Sequence, residues 1–425
     1  MLNIAALFIT ITALFLWFNH KVIRLPPTIG VMVIGLVLSL TLVGLNHLGV
    51  TVLTDHAQYW LEQINFNTLL MDGMLSFLLF AGALHVDIHE LKSYRYSIGF
   101  LATFGVVLST VAVGSAAWWL FGWFGMDVPY IYCLIFGALI APTDPIAVLG
   151  IMQNAGAPKD MEIKIVGESL FNDGVAVVVF TALVGAASAG VHTLTPSHVG
   201  LLFLEEAGGG VVLGGALGAL VYFLMKSIDQ YQVEVMLSLA LVIGGYALAS
   251  TLHVSGPIAM VVAGLIIGNM ARVGAMSDNT RRYVDGFWEL IDEILNAVLF
   301  VLIGLELLII PFNSYYIWIA MPLILLILMF RFITIGVPIT LLRKWYSFRT
   351  GTTRVLTWGG LRGGISVALA LGLPDTPYRE SLVVITYIIV LFSILVQGLT
   401  IGKLVSAVLP EDGSVKSSGT TRHHS

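Results

Sequence analysis

Apolar residues in this chain come in long unbroken runs, and polar residues are confined to short gaps between them. A helix needs about 20 apolar residues to cross the hydrocarbon core of a bilayer. A window of that length predicts spans over residues 2–19, 27–47, 67–86, 96–122, 129–153, 163–189, 197–225, 233–252, 256–271, 287–310, 315–342, 352–373 and 382–408. The expectation is an all-α integral membrane fold with 13 transmembrane helices. Continuous runs argue against a membrane β-barrel, whose strands alternate apolar and polar positions. The first run, Leu2 to Phe18, has no Lys or Arg before it and no small-residue cleavage site after it. It therefore reads as a retained span and not as a removed signal.

Composition agrees with the runs. Hydrophobic residues make up 58% of the chain and charged residues 11%, against about 25% charged in a soluble domain. The mean hydropathy is +0.94. A formal net charge of -5, spread along the chain without a basic cluster, excludes a nucleic-acid partner. The single cysteine, Cys133, excludes an internal disulfide framework and a cysteine metal site; inside its apolar run it reads as a buried, inert thiol.

Charge placement orients the spans. With the amino terminus outside, the outside segments hold only Arg379, and Arg331 and Arg362 lie within spans. Every other Lys and Arg falls in an inside segment or the helix ends that flank it. Positive charge collects on the cytoplasmic side, so the expected arrangement is a multi-pass protein of the cell membrane, amino terminus out and carboxyl terminus cytoplasmic.

Two stretches repeat. Pro27 to Leu36 resembles Gly256 to Leu265, and Phe80 to Asp87 resembles Phe300 to Glu306. Both matches pair span n with span n+7, so the second copy enters from the opposite face. The expected organisation is a first inverted repeat over 1–190 (helices 1–6), a linker helix 7 over 191–229, a second inverted repeat over 230–408 (helices 8–13) and a short cytoplasmic tail over 409–425. Inverted six-helix repeats of this kind are common in secondary transporters, where broken helices at matching places mark the transport site. The fifth and twelfth spans are both interrupted, by Ala141-Pro142-Thr143-Asp144-Pro145 and by Gly359-Gly360-Leu361-Arg362-Gly363-Gly364. Proline removes a backbone donor and clustered glycine favours unwinding.

Ionisable residues at mid-membrane are costly and are functional candidates for that reason. Asp144 sits in the first break before Pro145, where it can also serve as a helix cap. Glu168, Ser169, Asn172 and Asp173 lie in the sixth span at spacings that build adjacent rows on a helix face. Together they form an oxygen-rich patch suited to a hard monovalent cation and poorly suited to a soft metal. Arg362 sits in the second break, where it either opposes the negative end of the preceding half-helix or pairs with a carboxylate. A lone buried guanidinium is expensive, and Glu168 is the expected partner. Glu289, Asp292, Glu293 and Asn296 cluster at the start of the tenth span, as a cation-attracting group or as a solvated helix start. Gly210, Gly214 and Gly218 follow Glu205 and Glu206 at a spacing that admits a neighbouring helix closely. His85 and Asp87 end the third span without an identifiable third metal ligand.

Over essentially its whole length the chain resembles the cation:proton antiporter family, in its NhaP/NHE branch of sodium/proton exchangers. The resemblance is carried by Ala141 to Pro145, by Gly167-Glu168-Ser169-Leu170-Phe171-Asn172-Asp173-Gly174 and by Gly360 to Gly364. It implies two discontinuous helices that cross at their breaks. It implies an ion-binding set of Asp173, Asp144, Thr143 (through its carbonyl) and Ser169, with Asp173 and Asp144 as the Na⁺ ligands. It also implies supporting roles for Asn172 and for a Glu168–Arg362 pair, and a homodimer. The family's electrogenic members carry Asp where this chain has Asn172, which implies electroneutral one-for-one exchange.

The expected activity is exchange of a monovalent cation for H⁺ by alternating access, with one carboxylate shared by cation and proton. Na⁺ and H⁺ are the transported partners and no cofactor is expected. Li⁺ and K⁺ stay open as alternatives to Na⁺, so a K⁺/H⁺ antiporter of the same fold is the nearest rival. An intramembrane aspartyl protease would use two Asp on neighbouring spans, but no Gly-x-Gly-Asp accompanies Asp144 and Asp173. A cation channel is the third class, separated from an exchanger by proton-coupled flux against a gradient.

Overall fold

A computed structural model describes residues 2–88, 95–154, 159–189, 196–271, 274–311, 313–342 and 351–408. The tail over 409–425 and several of the basic residues used for orientation, such as Lys92 and Arg343, lie outside the described residues. The regular elements among the described residues are helical, and a single isolated bridge joins Asp144 to Leu361.

In chain order the helices are α1 (Leu2–Phe18), α2 (Pro27–His47), α3 (Val52–Glu62) and α4 (Phe66–Leu84, with a π-helical turn at Leu69–Met74). They continue with α5 (Arg95–Trp123), α6 (Tyr130–Ile140), α7 (Ile146–Asn154), α8 (Lys159–Ala189), α9 (Pro196–Lys226) and α10 (Tyr231–Thr251). Next come α11 (Gly256–Ile266), α12 (Asp278–Leu305), α13 (Tyr315–Leu342), α14 (Thr352–Trp358), α15 (Gly364–Leu371), α16 (Arg379–Phe392) and α17 (Leu399–Val408). A π-helical turn, Ser393–Gly398, joins α16 to α17. Among the described residues 9 helical stretches are long and apolar enough to cross a membrane, and Tyr130–Ile140 and Gly256–Ala271 are shorter apolar helices. The chain is a multi-pass membrane protein.

The two interrupted runs behave as their punctuation requires. The run over 129–153 resolves into α6 and α7, and the run over 352–373 into α14 and α15. Two elements escape an apolar window. The α3 helix is only 11 residues long; it is tied down where Thr54 donates to the Leu42 carbonyl at 3.0 Å and Gln58 to the Leu308 carbonyl at 2.6 Å. The first turns of α12 carry Asp278, Arg281, Arg282 and Asp285, so they read as a loop. They are helical because Ser277 caps them, its Oγ accepting from the Thr280 N–H at 3.3 Å.

Small residues set the distances between helices. A Cβ added at Gly304 of α12 would fall 2.6 Å from the Met32 carbonyl of α2, and one at Gly264 of α11 would fall 2.7 Å from the Phe80 carbonyl of α4. The glycine row of α9 does what its spacing suggests. A Cβ at Gly210 would sit 2.6 Å from the Ser255 carbonyl, and one at Gly218 3.2 Å from Ala263 Cα. Cys133 is buried and free, as expected.

Candidate functional site

The two breaks meet. Pro142 and Pro145 have no N–H to give, so 141–145 leaves the helix, and the Asp144 N–H donates to the Leu361 carbonyl at 2.8 Å. The second helix starts one residue later than a cap at Asp144 would require. The Pro145 carbonyl receives the first helical N–H groups, from Val148 at 3.0 Å and Leu149 at 2.8 Å. Asp144 is thereby left facing a cavity. Gly363 makes room for it, since a Cβ there would fall 2.8 Å from the Asp144 Cγ.

A helix end leaves carbonyls without partners. At the end of α6 these are taken by Arg362, whose Nη1 donates to Ala141 at 2.6 Å and to Pro142 at 2.9 Å. The expectation that Arg362 pairs with Glu168 or faces its own preceding half-helix is corrected. Its guanidinium caps the half-helix of the other broken span. The Arg362 N–H donates to Ser393 Oγ at 2.8 Å, and Ser393 donates to Gln397 Oε1 at 2.7 Å.

Glu168 has a different cation. Arg331 of α13 places Nη2 3.2 Å from its Oε1 and also donates to the Leu356 carbonyl at 3.3 Å. The physical reason is reach: the carbonyls of a broken helix hold Arg362, and the neighbouring span supplies the charge that Glu168 needs. The rule that flagged the mid-membrane carboxylates applies equally to Arg331, so its role was detectable as a buried charge in want of a partner.

Ser169 and Asn172 hold Thr143 from α8. Ser169 Oγ and Thr143 Oγ1 lie 3.0 Å apart, and Ser169 also donates to the Thr143 carbonyl. Asn172 clamps the same residue twice, Nδ2 donating to Thr143 Oγ1 at 2.8 Å and Oδ1 accepting from the Thr143 N–H at 3.3 Å. Asp173 is 6% exposed, and its Oδ1 is buried without a hydrogen-bond partner. Its charge interacts with those of Asp144 and Arg362.

Thr143, Asp144 and Asp173 line one cavity of about 500 Å³. It extends past Asp292 and Asn296 to His85, Asp87 and Glu289, which are exposed at the end where α4 finishes. Glu168 and Asn172 face a separate small recess with Arg331. The structure thus brings Asp173, Asp144 and Thr143 together, sets Ser169 and Asn172 behind Thr143, and gives Glu168 its ion pair with Arg331 rather than with Arg362. Of the cluster on α12, Glu289, Asp292 and Asn296 line the cavity. His85 Nδ1 bonds the Ala81 carbonyl at 2.8 Å, and the described residues contain no His, Cys, Asp and Glu group of three placed to hold a metal.

The chain is similar in sequence to several antiporters. It is 55% identical over 423 residues, covering 99% of this chain and 100% of the relative, to the Na(+)/H(+) antiporter NhaP of Pseudomonas aeruginosa. It is 34% identical over 395 residues, covering 91% and 92%, to the Na(+)/H(+) antiporter NhaH of Halobacillus dabanensis. The fold is similar to that of the sodium proton antiporter MjNhaP1 of Methanocaldococcus jannaschii, with a TM-score of 0.72 at 20% identity, covering 96% of this chain and 98% of that one. Residues 8–407 match the family described as sodium/hydrogen exchanger, transmembrane, and with relatives this similar over nearly its full length, the chain belongs to the sodium/hydrogen exchanger family.

Proposed function

We propose that this protein exchanges Na⁺ for H⁺ across the cell membrane, with Asp173 as the carboxylate that holds either ion. One observation carries the reading. Asp173 is buried in α8 beside the crossing of the two breaks, one of its oxygens has no protein partner, and it lines a cavity that leads outward. A buried acceptor without a partner is costly, and a bound proton or cation relieves that cost. Only one of the two fits at a time, which makes exchange obligatory if the empty charged form does not cross. Asp144 and the Thr143 carbonyl supply further oxygens, suited to a hard cation. Ser169 and Asn172 hold Thr143 in place.

The same reading extends to architecture. Helices α6 with α7, and α14 with α15, act as single broken spans among 13, in two inverted repeats over 1–190 and 230–408 joined through 191–229. Matched packing supports this: Gly35 of α2 lies against Gly304 of α12, and its repeat counterpart Gly264 of α11 lies against Phe80 of α4. Positive charge in alternate segments supports an amino terminus outside and a cytoplasmic carboxyl terminus. In that orientation the cavity opens to the cytoplasm. The active form is taken to be a homodimer, as the family resemblance implies. Asn172 is neutral and engaged with Thr143, which supports electroneutral one-for-one exchange.

Inverted membrane vesicles carrying the protein, loaded with acid and monitored with a pH dye, test the function. Added Na⁺ should collapse the gradient, and the Asp173→Asn variant, present at equal amount, should not. Retained exchange in that variant would overturn the assignment. Parallel additions of Li⁺ and K⁺ decide the cation preference.

A further inference from the structure

The cavity has a second polar wall that the exchange reading does not use. Residues Glu289, Asp292 and Asn296 of α12 stand three and four apart, one turn above another on one face of the helix, and all three line the cavity. Asn296 is 1% exposed. Its Nδ2 donates to the Asp292 carbonyl at 2.8 Å, which fixes the orientation of the amide and identifies the other atom as Oδ1. That Oδ1 is buried with no hydrogen-bond partner. The chain therefore spends a buried carbonyl-type acceptor on the cavity wall, one turn from a carboxylate. The Asp292 carboxylate interacts electrostatically with Asp144, on the opposite broken span, and Asp144 in turn with Asp173.

We propose that Asp292 and Asn296 Oδ1 form a second, entry subsite for the transported alkali cation, which hands the ion to Asp144 and Asp173. The proposal rests on the Na⁺/H⁺ exchange reading and extends it from one site to two. Oxygen ligands of carboxylate and amide type suit a hard cation that keeps part of its water shell, and a cavity of about 500 Å³ leaves room for that shell. Three carboxylates in series, Asp292, Asp144 and Asp173, repel one another when empty. A cation between the first two is held by both, and its passage inward leaves the outer position ready for the next. Glu289, one turn further out and exposed, raises the local cation concentration without closing on the ion.

Glu293 provides the control. It carries the same charge next in sequence to Asp292, is exposed and does not line the cavity. Na⁺-driven exchange is measured in inverted vesicles for the wild type, Asp292→Asn, Asn296→Ala and Glu293→Gln, with protein amount determined for each. Asp292→Asn and Asn296→Ala are expected to raise the apparent KM for Na⁺ by about fivefold or more, the low end for coupled ligand sites, and by more than they lower the maximal rate. Glu293→Gln is expected to leave KM where it is. An unchanged KM in Asp292→Asn overturns the subsite, and so does an equal rise in Glu293→Gln, which would be general charge attraction. If Asn296→Ala fails to reach the membrane, Asp292→Asn against Glu293→Gln decides alone. A wild type that does not exchange Na⁺ overturns the antiport reading and the subsite together, whereas a normal wild type with any of the negative results overturns the subsite only.

Discussion

The Asp144 N–H donates to the Leu361 carbonyl at 2.8 Å, joining two chain breaks that are far apart in sequence. Each break exposes backbone groups that hydrocarbon cannot satisfy. Crossing the breaks lets each supply what the other lacks: Leu361 accepts from Asp144, and Arg362 serves the carbonyls of Ala141 and Pro142. The unwound backbone is thus stable enough to place Thr143 and Asp144 beside Asp173.

If one carboxylate holds proton or cation in turn, the two ligands compete. Raising the proton concentration on the cavity side should raise the apparent KM for Na⁺ while the maximal rate at saturating Na⁺ stays the same. Initial rates over a grid of pH and Na⁺ concentration check this. A maximal rate that falls with acid at constant KM would mean separate sites.

One-for-one exchange moves no net charge. The rate in vesicles clamped with a K⁺ gradient and an ionophore should therefore not depend on membrane potential. A rate that follows the imposed potential would require a second proton or an unpaired charge, contrary to the neutral Asn172.

Buried Glu168 forms an ion pair at 3.2 Å with Arg331, which is itself only slightly exposed. Removing one member of such a pair costs about 3–5 kcal/mol, because the other stays buried and uncompensated. Arg331→Met should therefore lower the melting temperature and the membrane yield sharply. The double variant Arg331→Met with Glu168→Gln should recover much of both. Detergent melting curves of the single and double variants measure the coupling.

Gly304 has no room for a side chain, as a Cβ would meet the Met32 carbonyl at 2.6 Å. Gly304→Val should destabilise the protein by about 1–3 kcal/mol through forced separation of α2 and α12. Gly215→Ala is the contrast, because nothing lies within 4 Å of its Cβ position; its folded yield should match the wild type. The same melting assay separates the two.

Most of the long helices, both breaks and the buried carboxylates Glu168 and Asp173 were legible in the amino-acid sequence, whereas Glu234 and Glu306, equally buried, were not singled out. Apolar length, proline and clustered glycine act within a single stretch of chain. For that reason Pro27–His47 was bounded to the residue, and both interruptions were placed correctly. The close approach at Gly210 followed from helical spacing alone, but the single oxygen-rich patch expected on α8 is divided by packing: Glu168 and Asn172 face the recess with Arg331, and Asp173 faces the main cavity. What failed were expectations about partners. Glu168 finds Arg331, 163 residues away, and Arg362 finds the end of a helix in another span. The α3 helix and the charged start of α12 were missed, because neither needs to be apolar to be helical. Which wall Asn296 faces, and the cavity itself, exist only once the helices are packed. Local rules decide where a chain can be helical in lipid; which buried charge meets which is decided by the packing that brings distant spans within hydrogen-bond reach.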